Sequence, residues 1–224
     1  MNTNCILEVK DVSYHYEKTT RNVIDHMNAE FEKGKLYVLT GRSGAGKSTF
    51  LSLLAGLDKV SSGEILYKGK SLSTMDADNY RARDIGVVFQ GFNLLKNSSA
   101  IENILLSRHI SEKAGYKKAS GDEREIVIRD LEKLGIDKAT AERKVMHVSG
   151  GEQQRISIAR AISHDPDIVI ADEPTGNLDE NNAQGIMKIF EHLAHDEGKC
   201  VIVVTHSPSL RSYGDVVMEI GGKR

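Results

Sequence analysis

Residues Gly41 to Ser48 read GRSGAGKS, which has the spacing G-x-x-x-x-G-K-[ST]. Glycines so spaced let the backbone curl until successive N–H groups point inward as an anion nest. The apolar run LYVLT (Leu36 to Thr40) leads into it and the helical run STFLSLLAGL leads out. The nest therefore sits on a helix N-terminus, whose dipole favours phosphate, and a chance glycine-rich turn would lack that context. Lys47 then reaches the β- and γ-phosphates of a nucleotide, and the Ser48 hydroxyl binds Mg²⁺. Gly41, Arg42, Ser43, Gly44, Ala45, Gly46, Lys47, Ser48 and Thr49 form the expected binding set.

Asp172 and Glu173 follow another apolar run, IVIA (Ile168 to Ala171). In open α/β sheets, ligands sit beyond the carboxyl ends of the strands. There Asp172 can hold Mg²⁺ opposite Ser48, usually through a water. Glu173 is placed to polarise a water for attack on the γ-phosphate. Taken alone, the pair reads equally as surface carboxylates before a proline turn. His206 stands in the same relation to VIVVT (Val201 to Thr205), although the chain has 8 histidines and a lone one is ordinarily a structural hydrogen-bonder. Gln90 ends IGVVFQ on the same rim, with an amide that could touch Mg²⁺ or the attacking water.

A second glycine pair lies in HVSGGEQQRISIARA, His147 to Ala161. Ser149 and Glu152 form S-x-x-E, a capping box that opens a helix. The box does not explain Gly150 and Gly151, since glycine inside a helix costs about 1 kcal/mol relative to alanine. Glycine is useful where another backbone or a ligand comes close, and with the helix dipole behind it the pair makes a second phosphate-binding N-terminus. For both loops of one chain to face one γ-phosphate, the intervening segment would have to fold back over the core. Two chains arranged head to tail, each loop closing on the other's nucleotide, is the simpler solution and gives a symmetric dimer with two composite sites.

The elements that must position these groups are legible as patterns. LYVLT, IGVVF (Ile85 to Phe89), IVIA and VIVVT are apolar without alternation, as strands covered on both faces are. Ile186, Ile189, Phe190, Leu193 and Ala194 keep the rhythm of an amphipathic helix, and Val127, Leu131 and Leu134 keep it more weakly. Residues 1–35 alternate in part and read as antiparallel strands. Residues 91–160 read as helical, with a polar interruption, Ser111 to Arg124, that is either a flexible loop or an ordinary solvated connection. The expectation is one domain over 1–224: an α/β core with a mainly parallel sheet, an antiparallel β part and a helical insertion.

Composition narrows the class. Of 224 residues, 39% are hydrophobic and 28% charged, with a formal net charge of −2, so no basic surplus points to nucleic acid. The two cysteines, Cys5 and Cys200, suggest no disulfide framework and fit a reducing cytosol. The N-terminus lacks the pattern of a secretory signal, and no run approaches the roughly 18 apolar residues of a membrane span.

GRSGAGKST, FQ at Phe89 and Gln90, VSGGEQQR, IVIADE, GNLD and THS occur in the order found in ATPase subunits of ABC transporters, and the chain resembles that family over nearly its whole length. DEPTGNLD and FNLL make it similar to the branch that releases lipoproteins and exports macrolides or antimicrobial peptides, which includes a cell-division relative. Val148 and Glu152 depart from the leucine and glutamine frequent in the general family, but fit this branch. The resemblance implies a P-loop NTPase that hydrolyses ATP with Mg²⁺. It implies that Ser149, Gly150, Gly151 and Glu152 bind the partner copy's ATP, that Asn177 to Asp179 form the D-loop, and that His206 senses the γ-phosphate. Metal binding would fall to Ser48, Gln90 and Asp172, and catalysis to Glu173, His206, Lys47 and Gln90. Tyr16 best matches the adenine-stacking position, with Tyr14 as its competitor. The chain ends soon after DVVMEIGGKR, so the transmembrane permease subunits are expected to be separate. They would hold this cytoplasmic protein at the inner face of the membrane by the groove beside Gln90 and by the helical insertion. Export or extraction is the implied role; mechanical regulation of a membrane partner without transport is the alternative.

Overall fold

The computed structural model describes residues 4–17, 19, 21–116 and 120–221. The chain opens with β1 (Cys5–Tyr14), β2 (Ile24–Glu32) and β3 (Leu36–Thr40), then α1 (Lys47–Leu54). Next come β4 (Ser62–Tyr67), β5 (Lys70–Ser71), α2 (Ala77–Arg83) and β6 (Ile85–Val88). Four helices follow: α3 (Ala100–Lys113), α4 (Glu123–Lys133), the short α5 (Lys138–Ala141) and α6 (Gly150–Ile162). The chain then alternates through β7 (Ile168–Asp172), α7 (Glu180–His195), β8 (Cys200–Val204) and β9 (Val216–Glu219).

These strands make two sheets. The five-stranded sheet has the order β6-β7-β8-β3-β9, and every pairing in it is parallel. Every residue of β3 and β8 is buried, which is why their sequences do not alternate. Their side chains still divide by the two-residue period of a strand. Tyr37 and Leu39 join Phe31, Phe50 and Leu54 on one face, while Leu36 and Val38 join Phe190, Met187 and Leu193 on the other. Full burial of each such side chain stabilises by about 1.5–3 kcal/mol. A third cluster, with Ile101, Ile104, Val127, Leu131 and Ile156, packs α3, α4 and α6 together.

The antiparallel sheet runs β2-β1-β4-β5. It therefore extends past the expected limit at residue 35, because β4 and β5 return to it after α1. Their sequence, SGEILYKGK, offers three adjacent apolar residues between glycines, too short a pattern to identify a strand. Within the polar interruption, α3 continues to Lys113 and α4 starts at Glu123 on an Asp122 cap; residues 117–119 of it lie outside the described residues.

Candidate nucleotide site

β3 delivers the chain to Gly41 and α1 takes it away at Lys47, so residues 41–46 form a loop at a strand end and a helix start. Gly46 caps α1 with φ 89°, and a Cβ there would lie 2.8 Å from Val23 Cγ1. Both the dihedral and the clearance require glycine. A Cβ at Gly41 would meet the Ile220 carbonyl oxygen at 2.4 Å. Lys47 is buried, and its Nζ donates to the Gly41 and Arg42 carbonyl oxygens at 3.0 Å each. Arg42, Ser43, Gly44 and Ser48 are exposed, Ala45 is partly covered, and Thr49 is buried.

Thr49 Oγ1 lies 2.7 Å from the Tyr16 hydroxyl, which ties the first strand's exit to this loop. The Tyr16 ring is 48% exposed and Tyr14 only 9%. Tyr14 meets Tyr16 edge-on with centroids 5.2 Å apart, propping it from the core side.

Ser48 and Asp172 line one small cavity of about 60 Å³. Asp172 Oδ1 is buried there without a hydrogen-bond partner, a state that costs free energy until a donor or cation meets it. Among the described residues no group of three or more His, Cys, Asp or Glu could hold a metal. The Ser48 hydroxyl and the unpartnered Asp172 oxygen are hard donors that would suit Mg²⁺ completed by phosphate and water.

Glu173 turns the chain at the end of β7 with φ 47°, unusual for a side-chain-bearing residue. Its N–H donates to the Val204 carbonyl at 3.1 Å, joining the ends of β7 and β8. His206, just beyond β8, returns the contact: its N–H donates to Glu173 Oε2 at 3.2 Å, and its Nε2 lies 3.1 Å from Oε1. Oε1 still lacks a well-aligned hydrogen bond. Burial pushes the Glu173 carboxyl above its ordinary range, the His206 N–H opposes that, and the Asp172 charge adds to it. Gln90 is exposed after β6. Its Nε2 lies 3.8 Å from where a Cβ on Gly176 would be, and it lines a cleft with Gln153 and Asn177.

Ser149 caps α6, accepting the Glu152 N–H at 3.3 Å while its own N–H donates to Glu152 Oε2 at 2.7 Å. A Cβ on Gly150 would meet nothing within 4 Å. One on Gly151 would sit 3.1 Å from Asn182 Oδ1. Asn182 is in turn held by Asp179, the cap of α7, which accepts its N–H at 2.9 Å and its Nδ2 at 2.6 Å. Asn182 thus lies between Asp179 and Gly151, and sequence reasoning missed it; an amide three residues after the cap was the available signal.

The loop 41–49, Tyr16, Asp172, Glu173, His206 and Gln90 gather around the ends of β3, β6, β7 and β8. Ser149 to Glu152 instead stand on α6, which packs on α3, α4, α7 and β6. Among the described residues no hydrogen bond joins them to the loop 41–48.

A family model described as ABC transporter matches residues 24–176. The chain belongs to the ABC transporter family. It is an ATP-binding cassette, an ATPase that uses ATP and Mg²⁺. An uncharacterized ABC transporter ATP-binding protein of Bacillus subtilis, YclH, is 41% identical over 211 residues, covering 94% of this chain and 91% of that protein. The lipoprotein-releasing system ATP-binding protein LolD of Francisella tularensis is 36% identical over 212 residues, covering 92% of this chain and 90% of LolD. Among solved structures, the dimeric post-hydrolysis state of the cassette MJ0796, bound to ADP and Pi, superposes with a TM-score of 0.86 at 30% identity, covering 96% of this chain and 94% of that one.

Proposed function

We propose that this cassette is the motor of an exporter or extraction system, acting through separate transmembrane subunits and closing head to tail on ATP. Gly150 carries the reading. It opens a capped helix, yet faces open space in its own chain. An N-terminal turn so bared is an anion site looking for a ligand from another molecule, and the MJ0796 cassette is dimeric with nucleotide products bound.

On this reading the loop 41–49 wraps one ATP, Tyr16 stacks on its adenine, and Lys47 stabilises charge on the β- and γ-phosphates. Ser48, Asp172 and Gln90 would hold Mg²⁺, which neutralises charge on the phosphate oxygens when bound. Glu173, its carboxyl less acidic than usual, takes the proton of the attacking water. His206, already at Glu173, orients that carboxylate and answers to the γ-phosphate. Ser149 to Glu152 of the second copy complete the site, and Asp179 aligns the seam. The parallel-sheet core, the antiparallel part and the helices of 91–160 act as parts of one domain.

Among the described residues no helix is long and apolar enough to cross a membrane. Leu106 and Ile110, four residues apart on α3, are about half exposed, an apolar face suited to a permease docked at the membrane's inner surface. LolD's place in a lipoprotein-releasing system supports export over import.

Glu173→Gln tests the motor. The variant is expected to bind ATP, lose most turnover and elute as an ATP-dependent dimer in size-exclusion chromatography. Undiminished hydrolysis would remove Glu173 as the base. Reconstitution with the permease and a flux assay then separates export from regulation: ATP-driven turnover without movement of substrate would favour the regulator.

A further inference from the structure

Away from the nucleotide site, a cavity of about 460 Å³ opens between α3, α4, α6 and α7. Small-molecule sites typically span roughly 300–1,000 Å³. Ile104, Ile126, Leu134, Ile162, Ile189 and Leu193 form its apolar wall. Arg108 lies in the same lining and is only 4% exposed. Its Nε is buried without a hydrogen-bond partner. Asp130 approaches Nη1 only to 3.9 Å, close enough for charge attraction and too far for a hydrogen bond. A guanidinium cannot lose its charge, so leaving its Nε–H buried without an acceptor is unfavourable until one arrives.

The other rim charges are largely engaged. Lys133 donates to Asp130 at 2.9 Å, Asp165 accepts from Lys199, and His192 binds Asp196 at 2.6 Å with Glu197 at 3.6 Å. Asp130, Asp165 and Glu197 share the lining with Lys133 and Lys188, and three carboxylates so placed disfavour a polyphosphate. One negative charge needs only Arg108, and a hydrocarbon body matches the wall. The geometry points to a binding site for a small amphipathic monoanion, its carboxylate forked on Arg108 and its apolar part against the isoleucines and leucines. Bidentate pairing of this kind is among the stronger protein contacts.

The site also has a place in the machine. Two of its walls are α6 and α7, the helices that begin at Ser149 to Gly151 and at Asp179. An occupant therefore touches both helices that carry the proposed dimer seam, without touching the nucleotide.

Decanoate is a suitable probe, titrated by calorimetry into the full chain below its micelle-forming concentration, with decanol as its uncharged counterpart. The expected result is one saturable site for decanoate, with decanol and Arg108→Met each weaker by roughly ten-fold. Ile189→Trp, at the half-buried wall, should abolish binding while leaving the thermal melt intact. Its indole doubles as a reporter, because the chain has no tryptophan. If Arg108→Met does not fold, decanol and Ile189→Trp still decide. Absence of saturable binding, equal affinity for decanol and decanoate, or full binding by Ile189→Trp would each overturn the assignment.

Discussion

At the scale of single residues, Glu173 is held in two unfavourable ways: its backbone is left-handed and its carboxyl is buried beside Asp172. Because its folded pKa is raised above the ordinary 4.5, the stability it gives is fully present below that value and lost as pH rises through the folded value. At pH 7.5 the charged group therefore weakens the nucleotide-free fold. Glu173→Gln should melt higher than wild type at pH 7.5, and the gap should close below pH 4; a lower melt at pH 7.5 would mean the carboxylate is stabilised where it stands. The tyrosines separate just as cleanly. Tyr16→Ala should weaken ATP binding by about 1–3 kcal/mol, the worth of one stacked base, with little change in melting temperature. Tyr14→Ala, cut from the core, should chiefly lower the melt and weaken ATP binding less, through lost support of Tyr16, and titration with a fluorescent ATP analogue beside a thermal melt reads both.

At the scale of elements, the two glycines opening α6 differ in kind. Gly150→Ala has room in the single chain and improves helix propensity by up to about 1 kcal/mol. Its melt should hold or rise while ATP-dependent dimerisation and turnover fall. Gly151→Ala presses on Asn182 at 3.1 Å, so it should also lower the melt; matching melts for the two variants would break the distinction. Much of this element map was legible beforehand. The buried runs became β3, β6, β7 and β8, and the rhythm from Ile186 to Ala194 became α7, though Ile189 is only partly buried. The capping box at Ser149 is present as read. What was not legible was set by distant partners. β4 is a strand because β1 receives it, and Gly151 is small partly because Asn182 fills its space. No local pattern carries either fact.

At the scale of the whole molecule, Asp167 fastens the antiparallel sheet to the core. Just before β7, it accepts hydrogen bonds from Lys33, from Lys68 and from the Tyr67 hydroxyl at 2.8 Å. Burial raises its carboxyl, but those donors prevail and bring it from 3.8 to about 2. Its stability is present above pH 3.8 and lost as pH falls toward 2. Asp167→Asn should cost about 2 kcal/mol at pH 7, a melting temperature lower by roughly 5 °C, with the deficit vanishing in acid. Gly150, bare in a lone chain, has its own consequence at this scale. If each reaction centre borrows from two molecules, Lys47→Ala and Gly150→Asp are lesions that can be sorted into the same half of a mixed pair. The other half then contains no lesion. Blending two inert preparations should restore hydrolysis that neither shows alone, and continued silence of the blend would place both loops at work within one polypeptide.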